Sequence, residues 1–402
     1  MIGLRDIEEA RARVAPIIRS TPVDRSDSLS LLAHRPVILK PEHRQRTGSF
    51  KIRGAYNRIS RLERGSEVVA ASAGNHAQGV ALAATLTGIG STIFMPVGAS
   101  LPKIDATRSY GAVVRLEGDT VDDCIALAKA YASSTGAVYV PPFDDELIIA
   151  GQGTVGLELA DEASDAEVVV VPIGGGGLIA GVATALAHTL PGAKVIGVEA
   201  AGAATMKASL AAGRSVALDR VATMADGIAN RSTCDLTFTH VQAYVDDLVT
   251  VDEEEISRAM LLLLERAKAV VEPAGAVALA AILAGRIPSK GPAVAILSGG
   301  NVDPLLLIKL IDHGLSAAGR YLLLRIVLDD RPGALAALTA ALAARNLNVL
   351  DVEHHRSGLT LAVDEVEVLI TLETRGPEHR DQVVADLVAA GYRVEPAGGR
   401  GV

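Results

Sequence analysis

The chain has 402 residues, enough for two or three domains, and with 49% apolar but only 3% aromatic residues its cores must be built from Ala, Val, Leu and Ile. A net charge of −9, with both signs interspersed, leaves no basic footprint for nucleic acid or an anionic membrane. The two cysteines, Cys124 and Cys234, lie far apart and form neither a disulfide framework nor a zinc spacing, a usage expected of a cytoplasmic protein.

The opening MIGLRDIEEARARV is charged and helix-like over 6–18, unlike a signal peptide. VILK (37–40) reads as a strand, and strands then alternate with helices. The strands fall at 67–72, 91–96, 112–118, 137–142, 167–173, 194–200 and 293–300. The helices fall at 75–86, 101–110, 120–134, 151–163 and 178–190. Residues 168–187 carry no charge over the length of a membrane span, but Pro172 and four consecutive glycines divide them into strand, loop and helix. Asp252 and Glu255 make a capping-box pattern ahead of Ile256, Met260, Leu263 and Leu264 at helical spacing. Short all-apolar strands alternating with helices predict an α/β fold with a parallel sheet covered on both faces. A domain boundary is placed between 313 and 320. Beyond it YLLLRIVLDD, PGALAALTAALAARN, LNVLDVEHHR, a turn at Ser357-Gly358, VDEVEVLITLET, EHRDQVVADLVAAG and YRVE give βαββαβ, a ferredoxin-like unit.

GGGGLIAG (174–181) follows a strand and opens a helix, where backbone N–H groups and the helix dipole can hold a phosphate. Gly175, Gly177 and Ala180 also satisfy G-x-G-x-x-A, with Glu199 ending the next strand. A NAD-dependent dehydrogenase is therefore one reading, and a tight structural turn another. Three more small-residue loops, GSFK (48–51), SAGNHAQG (72–79) and SGGN (298–301), belong where ligands bind in open α/β sheets. A single phosphorylated aromatic aldehyde accounts for all of them, and a dinucleotide does not.

SFKIRGAYN with Lys51, SAGNHAQG, GGGGL and SGGN, in this order over residues 47–301, resemble the fold-type-II pyridoxal-phosphate enzymes, with the threonine ammonia-lyase (threonine dehydratase) family nearest. DDRPGAL (329–335) resembles an ACT domain. The resemblance implies a two-domain, tryptophan-synthase-β-like pair of parallel sheets. Residues 1–66 and 146–315 would form the large cofactor-binding domain and 67–145 the small one, followed by an ACT-like regulatory domain at 320–402. It implies pyridoxal 5'-phosphate as cofactor, with Lys51 as its Schiff-base partner and the catalytic base. Phe50 would lie beside the ring, Asn75 on the ring hydroxyl, Gly174, Gly175, Gly176 and Gly177 around the phosphate, and Ser298 at the pyridine nitrogen. Ser72, Gly74, Asn75 and His76 would receive the substrate carboxylate; Ser72 or Asn75 could equally cap its own helix. A hydroxyl at 298 leaves the ring closer to neutral than a carboxylate would, which favours prompt β-elimination. The implied reaction converts L-threonine to 2-oxobutanoate and ammonia, a step of isoleucine biosynthesis, and L-serine to pyruvate by the same route.

Several positions depart from the pattern or admit a second reading. Serine racemases of this fold resemble a pattern with a serine directly before the Gly-Asn pair; Ala73 stands there and disfavours racemisation. A 3-hydroxyaspartate dehydratase is a further alternative of the same fold, and a non-catalytic amino-acid sensor one of a different class. Glu199 and the Ala203 carbonyl could contribute to a cation site, but Thr205 replaces the second carboxylate the family would supply, so no metal is expected. Glu272 matches a position near the cofactor, or else caps a helix. Glu353, His354 and His355 lie on a strand, whose neighbouring side chains point to opposite faces and do not converge on a metal. Asp329, Gly333 and Asn348 match places where ACT modules grip an amino acid, which points to isoleucine or valine as effector; an oligomer contact is the alternative. A homodimer or homotetramer is expected.

Overall fold

The computed structural model describes residues 1–317, 319–356 and 361–396 and divides into two units, Met1–Pro304 and Leu305–Val402. The first unit holds two sheets. The larger runs in the order Asp24–Arg25, Val37–Lys40, Ala293–Ile296, Val168–Pro172, Lys194–Ala200, Asp247–Val251. All its pairings are parallel except the short Asp24–Arg25 edge. Val37–Lys40, Val168–Pro172 and Ala293–Ile296 are buried at every position, as strands covered on both faces must be. The smaller sheet is wholly parallel, in the order Val113–Leu116, Gly90–Met95, Glu67–Ala71, Val138–Tyr139.

Two of the differences from the sequence reading have a plain physical cause. The strand expected at 137–142 shrinks to Val138–Tyr139, because Pro141 and Pro142 bring no N–H to a ladder. The helix expected at 151–163 starts earlier, as Glu146–Glu162, where Asp145 Oδ1 accepts from the N–H groups of Leu147 (2.8 Å) and Ile148 (3.1 Å). Its glycines are crossing points rather than breaks. A Cβ at Gly151 would lie 2.6 Å from Gly54 Cα, and one at Gly156 2.7 Å from Ala185 Cβ. Small residues thus let this helix lie close against both Lys51–Ile59 and Gly177–Thr189. The Asp252–Glu255 capping box forms in both directions, at 2.8 and 3.0 Å, and its helix runs on into a π-helical turn, Leu263–Ala267. No described helix is long and apolar enough to cross a membrane.

The second unit is the expected βαββαβ, an antiparallel sheet in the order Val349–His355, Glu365–Glu373, Tyr321–Asp329, Arg393–Pro396. Buried positions alternate along Tyr321–Asp329 and Glu365–Glu373. Leu324, Ile326, Val368 and Ile370 of that face share a core with Leu338, Leu342, Val383 and Leu387 of two helices, Ala334–Ala343 and Pro377–Ala389. The turn expected at Ser357-Gly358 lies outside the described residues.

Candidate active site

Lys51 is the first residue of the Lys51–Ile59 helix. The chain reaches it through two left-handed residues, Thr47 (φ +62°) and Gly48 (φ +72°). A β-branched residue there is strained, so the surroundings must hold it. They do so from the SGGN loop: Phe50 N–H donates to Ser298 O (3.2 Å), Gly300 N–H donates to Gly48 O (2.9 Å), and Ser49 bridges Gly299. On the other side the Asn75–Thr87 helix passes close by, and a Cβ at Gly79 would lie 3.2 Å from Lys51 Cβ. Lys51 Nζ donates to Pro142 O at 3.0 Å and sits 5.1 Å from the Phe50 ring centroid. Phe143 then covers the tetraglycine loop. A Cβ at Gly175 would lie 2.1 Å from its ring, and one at Gly177 2.9 Å from its Cβ. A Cβ at Gly174 would meet Asn230 Oδ1 at 2.6 Å and one at Gly176 would meet Thr237 Cβ at 2.9 Å. Thr237 Oγ1 donates to Gly175 O at 2.8 Å. Gly176 (φ +91°) begins the Gly177–Thr189 helix with no side-chain cap, which leaves first-turn amides for an anion.

Burial, opposed by the Glu272 charge, lowers the Lys51 amine to about 8, so the neutral, nucleophilic form is far more accessible near physiological pH than in an exposed lysine, though still the minority. Glu272 is itself pushed up to about 7, by burial first and then by Asp226. Glu272 stands at the start of the Pro273–Leu283 helix but makes no cap hydrogen bond, so the capping alternative falls away. Its Oε1 accepts from Asn75 Nδ2 at 2.5 Å. Asn75 is likewise not a cap; that place belongs to Gly74, whose N–H donates to Ser72 Oγ at 3.1 Å. His76 Nε2 meets Val140 O at 2.9 Å, and burial drives the ring down to about 3. A neutral, packed imidazole offers its backbone N–H at the helix start and is no general base. Ser298 is buried, with its hydroxyl 3.4 Å from Ala274 O.

These groups fit pyridoxal phosphate. An amine with a lowered pKa suits the aldehyde, loop amides whose space a Cβ would fill suit the phosphate, and Ser298 and Asn75 offer polar atoms to the ring.

The structure brings Lys51, Phe50, Ser72, Gly74, Asn75, His76, Ser298 and, through Pro142–Phe143, the tetraglycine loop into one region. Glu199 serves a different purpose. Its carboxylate accepts from the Met206 and Lys207 N–H groups at 2.7 and 2.9 Å, at the start of the Thr205–Ala212 helix, and burial raises it to about 7. A carboxylate so engaged is not presented to a ribose, which removes the acidic partner of the dehydrogenase reading. Ala203 lies in the turn ahead of that helix, and Thr205 Oγ1 donates to Asn230 O at 2.6 Å. In the second unit Asp329 and Gly333 line a cavity of ≈290 Å³ with Arg331, His354 and Arg356. Asn348 is not among its lining residues; its Nδ2 donates to Glu373 Oε2 at 3.2 Å. Glu353 and His355 meet at 3.1 Å along one strand face. Among the described residues no three His, Cys, Asp or Glu side chains are grouped to hold a metal.

Residues 14–299 match the pyridoxal-phosphate-dependent enzyme family, and residues 322–390 match the ACT domain. The chain belongs to the fold-type-II pyridoxal-phosphate enzymes. It is 47% identical over 402 residues to the L-threonine ammonia-lyase of Thermotoga maritima, covering 99% of this chain and 100% of that protein. Among solved structures, a T.th. threonine deaminase is 42% identical with a TM-score of 0.72, covering 75% of this chain and 99% of that one. Maize serine racemase is 37% identical with a TM-score of 0.73, covering 78% and 98%. The enzyme is thus homologous to threonine ammonia-lyases, uses pyridoxal 5'-phosphate and is a lyase that deaminates small threonine- or serine-like amino acids by β-elimination.

The pyridoxal-phosphate enzyme also contains a feature beside Lys51 that residue patterns did not reveal. Arg53 is wholly buried, with bidentate contacts to Glu42 (2.8 and 2.8 Å) and Glu158 (2.6 and 2.9 Å). Lys40, also wholly buried, meets Glu158 at 2.7 Å and Glu162 at 3.0 Å. Thr21 Oγ1 donates to Glu42 Oε1 at 2.6 Å. Against the upward push of burial, Arg53 and Lys40 pull Glu158 below the usual carboxylate range. The cluster fixes the first turn of the helix whose first residue is Lys51. No sequence signal marks it, because its members are scattered from 21 to 162. Phe143 and Asn301 went unassigned for a similar reason, though Asn301 stands inside the SGGN motif.

Proposed function

We propose that this enzyme is an L-threonine ammonia-lyase. It would form 2-oxobutanoate and ammonia from L-threonine, and pyruvate and ammonia from L-serine more slowly. The observation that carries this is the end-to-end match, at 47% identity, to a protein named for that activity. Bound pyridoxal phosphate supplies the electron sink that acidifies the substrate Cα–H. In this reading Lys51 binds the cofactor, and its amine, held near neutrality, takes the Cα proton. The tetraglycine amides hold the phosphate, and Ser298 faces the ring nitrogen. Ser72 and the first-turn amides at Asn75 and His76 receive the substrate carboxylate. Loss of the Cα proton and the β-hydroxyl removes one water; the released enamine takes that water back as it gives up ammonia. Ala73 puts a methyl group where the racemase pattern has a serine, so elimination is favoured over reprotonation from the opposite face.

The racemase likeness provides the competing reading. Enzyme reconstituted with pyridoxal phosphate should show its highest kcat/KM with L-threonine, measured as 2-oxobutanoate. Conversion of L-serine mainly to D-serine would overturn the assignment, and a preference for 3-hydroxyaspartate would change the substrate. The ACT domain and the cavity beside Asp329 and Gly333 support an amino-acid effector, isoleucine or valine. Added isoleucine should shift activity, and a chain lacking 320–402 should lose the shift.

A further inference from the structure

The hydrogen-bond polarity at Asn75 is fixed from outside the site. The Thr47 carbonyl can only accept, so the Asn301 atom 2.7 Å from it is Nδ2. The same nitrogen lies 2.7 Å from Asn75, so the Asn75 atom there must accept and is Oδ1. Gln78 Oε1, at 3.5 Å, is a distant third acceptor. Asn75 Nδ2 is thereby turned to the other side, where one N–H donates to Glu272 Oε1 at 2.5 Å and the second remains a donor. Two glycines make room for this relay. A Cβ at Gly48 would lie 2.4 Å from Asn301 Oδ1, and one at Gly299 would lie 2.0 Å from Glu272 Oε1 and 2.9 Å from Asn75 Nδ2. The left-handed Thr47 is thus tied by its carbonyl to the relay's origin.

We propose that Asn301 is a positioning residue that locks the Asn75 side chain as a donor, so that the cofactor's ring oxygen meets an N–H and is held as an oxyanion. The proposal rests on the reading that Asn75 faces that oxygen. Three substitutions in the full-length enzyme test it, each loaded with pyridoxal phosphate and followed by absorbance spectrum and cofactor titration. Asn301→Ala and Asn75→Ala should each weaken cofactor binding about tenfold, as expected for one lost charge-assisted hydrogen bond, and lower the visible band relative to the near-ultraviolet one. In the band ratio, which reads the ring oxygen, the double variant should be no worse than Asn75→Ala, because Asn301 reaches that oxygen only through Asn75, whereas its bond to Thr47 O acts on the approach to Lys51. Asn301→Asp keeps the size but can only accept; it should turn the Asn75 amide about and give the larger spectral change. Additive shifts of the band ratio in the double variant, or a wild-type spectrum in Asn301→Asp, would overturn the proposal while leaving Asn75 at the ring. An unchanged spectrum and affinity in Asn75→Ala would sink the Asn75 assignment and the proposal with it. Thermal melting of each cofactor-free variant separates loss of the fold from loss of the relay.

Discussion

In the catalytic unit Lys40, Glu42, Arg53, Glu199 and Glu272 are each at most 3% exposed, whereas in the ACT unit Thr374 is the one buried polar side chain among the described residues. The two units therefore solve different problems. The ACT core joins one face of an alternating sheet to two helices, and ion pairs such as Arg345–Asp386, at 3.8 Å, stay partly exposed. Such packing needs only apolar residues of suitable volume. The catalytic unit takes charges out of water, which is unfavourable unless each is paired and hydrogen-bonded. What that arrangement provides is a fixed first turn under Lys51. Around Lys51 buried charge secures the site, while at Glu199 it holds the start of the Thr205–Ala212 helix.

Four outcomes sharpen or break that contrast. The largest effect belongs to Lys51→Ala, which should lower deamination by about 10³-fold or more, measured as 2-oxobutanoate release, with the fold intact. Arg53→Ala leaves Glu42 and Glu158 buried without their main cation and should cost about 3–5 kcal/mol in denaturant unfolding of the cofactor-free enzyme. Arg53→Lys should recover only part of it, because an ammonium does not reach two carboxylates with a planar fork. The third outcome is a pH dependence. Glu199 and Glu272 are raised from 4.5 to about 7, so the folded state keeps their protons longer than the unfolded chain does. Their contribution to stability is present below about 4.5 and is lost as pH rises through about 7, by on the order of a few kcal/mol. Urea midpoints at pH 5 and 8 would measure the fall, and Glu272→Gln should flatten its share. The smallest effect is Arg345→Ala in the ACT unit, at less than about 1 kcal/mol. A loss there as large as that of Arg53→Ala would end the contrast.

The fold was legible where pattern and environment agree. KVIGVEA and VILK form strands over their whole length, because continuous apolar runs suit a sheet covered on both faces. Errors arose where tertiary contacts decide. The helix expected from 151 begins at Glu146 instead, and its glycines at 151, 153 and 156 are helix crossings, which only the neighbouring helices reveal. The short Asp24–Arg25 strand carries no apolar signal at all. In the site, motifs located Lys51, the tetraglycine loop, Asn75 and Ser298 because small-residue loops betray a ligand. The motifs did not show which partners orient them. Glu272 gave two readings in sequence, and only its contact with Asn75 separates them. Asn348 matched a motif position, yet its amide is directed to Glu373 instead of the cavity beside Asp329.

The near-contact of Gly54 and Gly151 has a consequence for altering this enzyme. A methyl group added at Gly54 would lie 2.5 Å from Gln152 Nε2, and one at Gly151 2.7 Å from Arg53 O, so neither position tolerates even alanine without displacing backbone or side chain. Substitution therefore has little freedom in the packing directly beneath Lys51, where backbone and side chains already fill the space a methyl group would need.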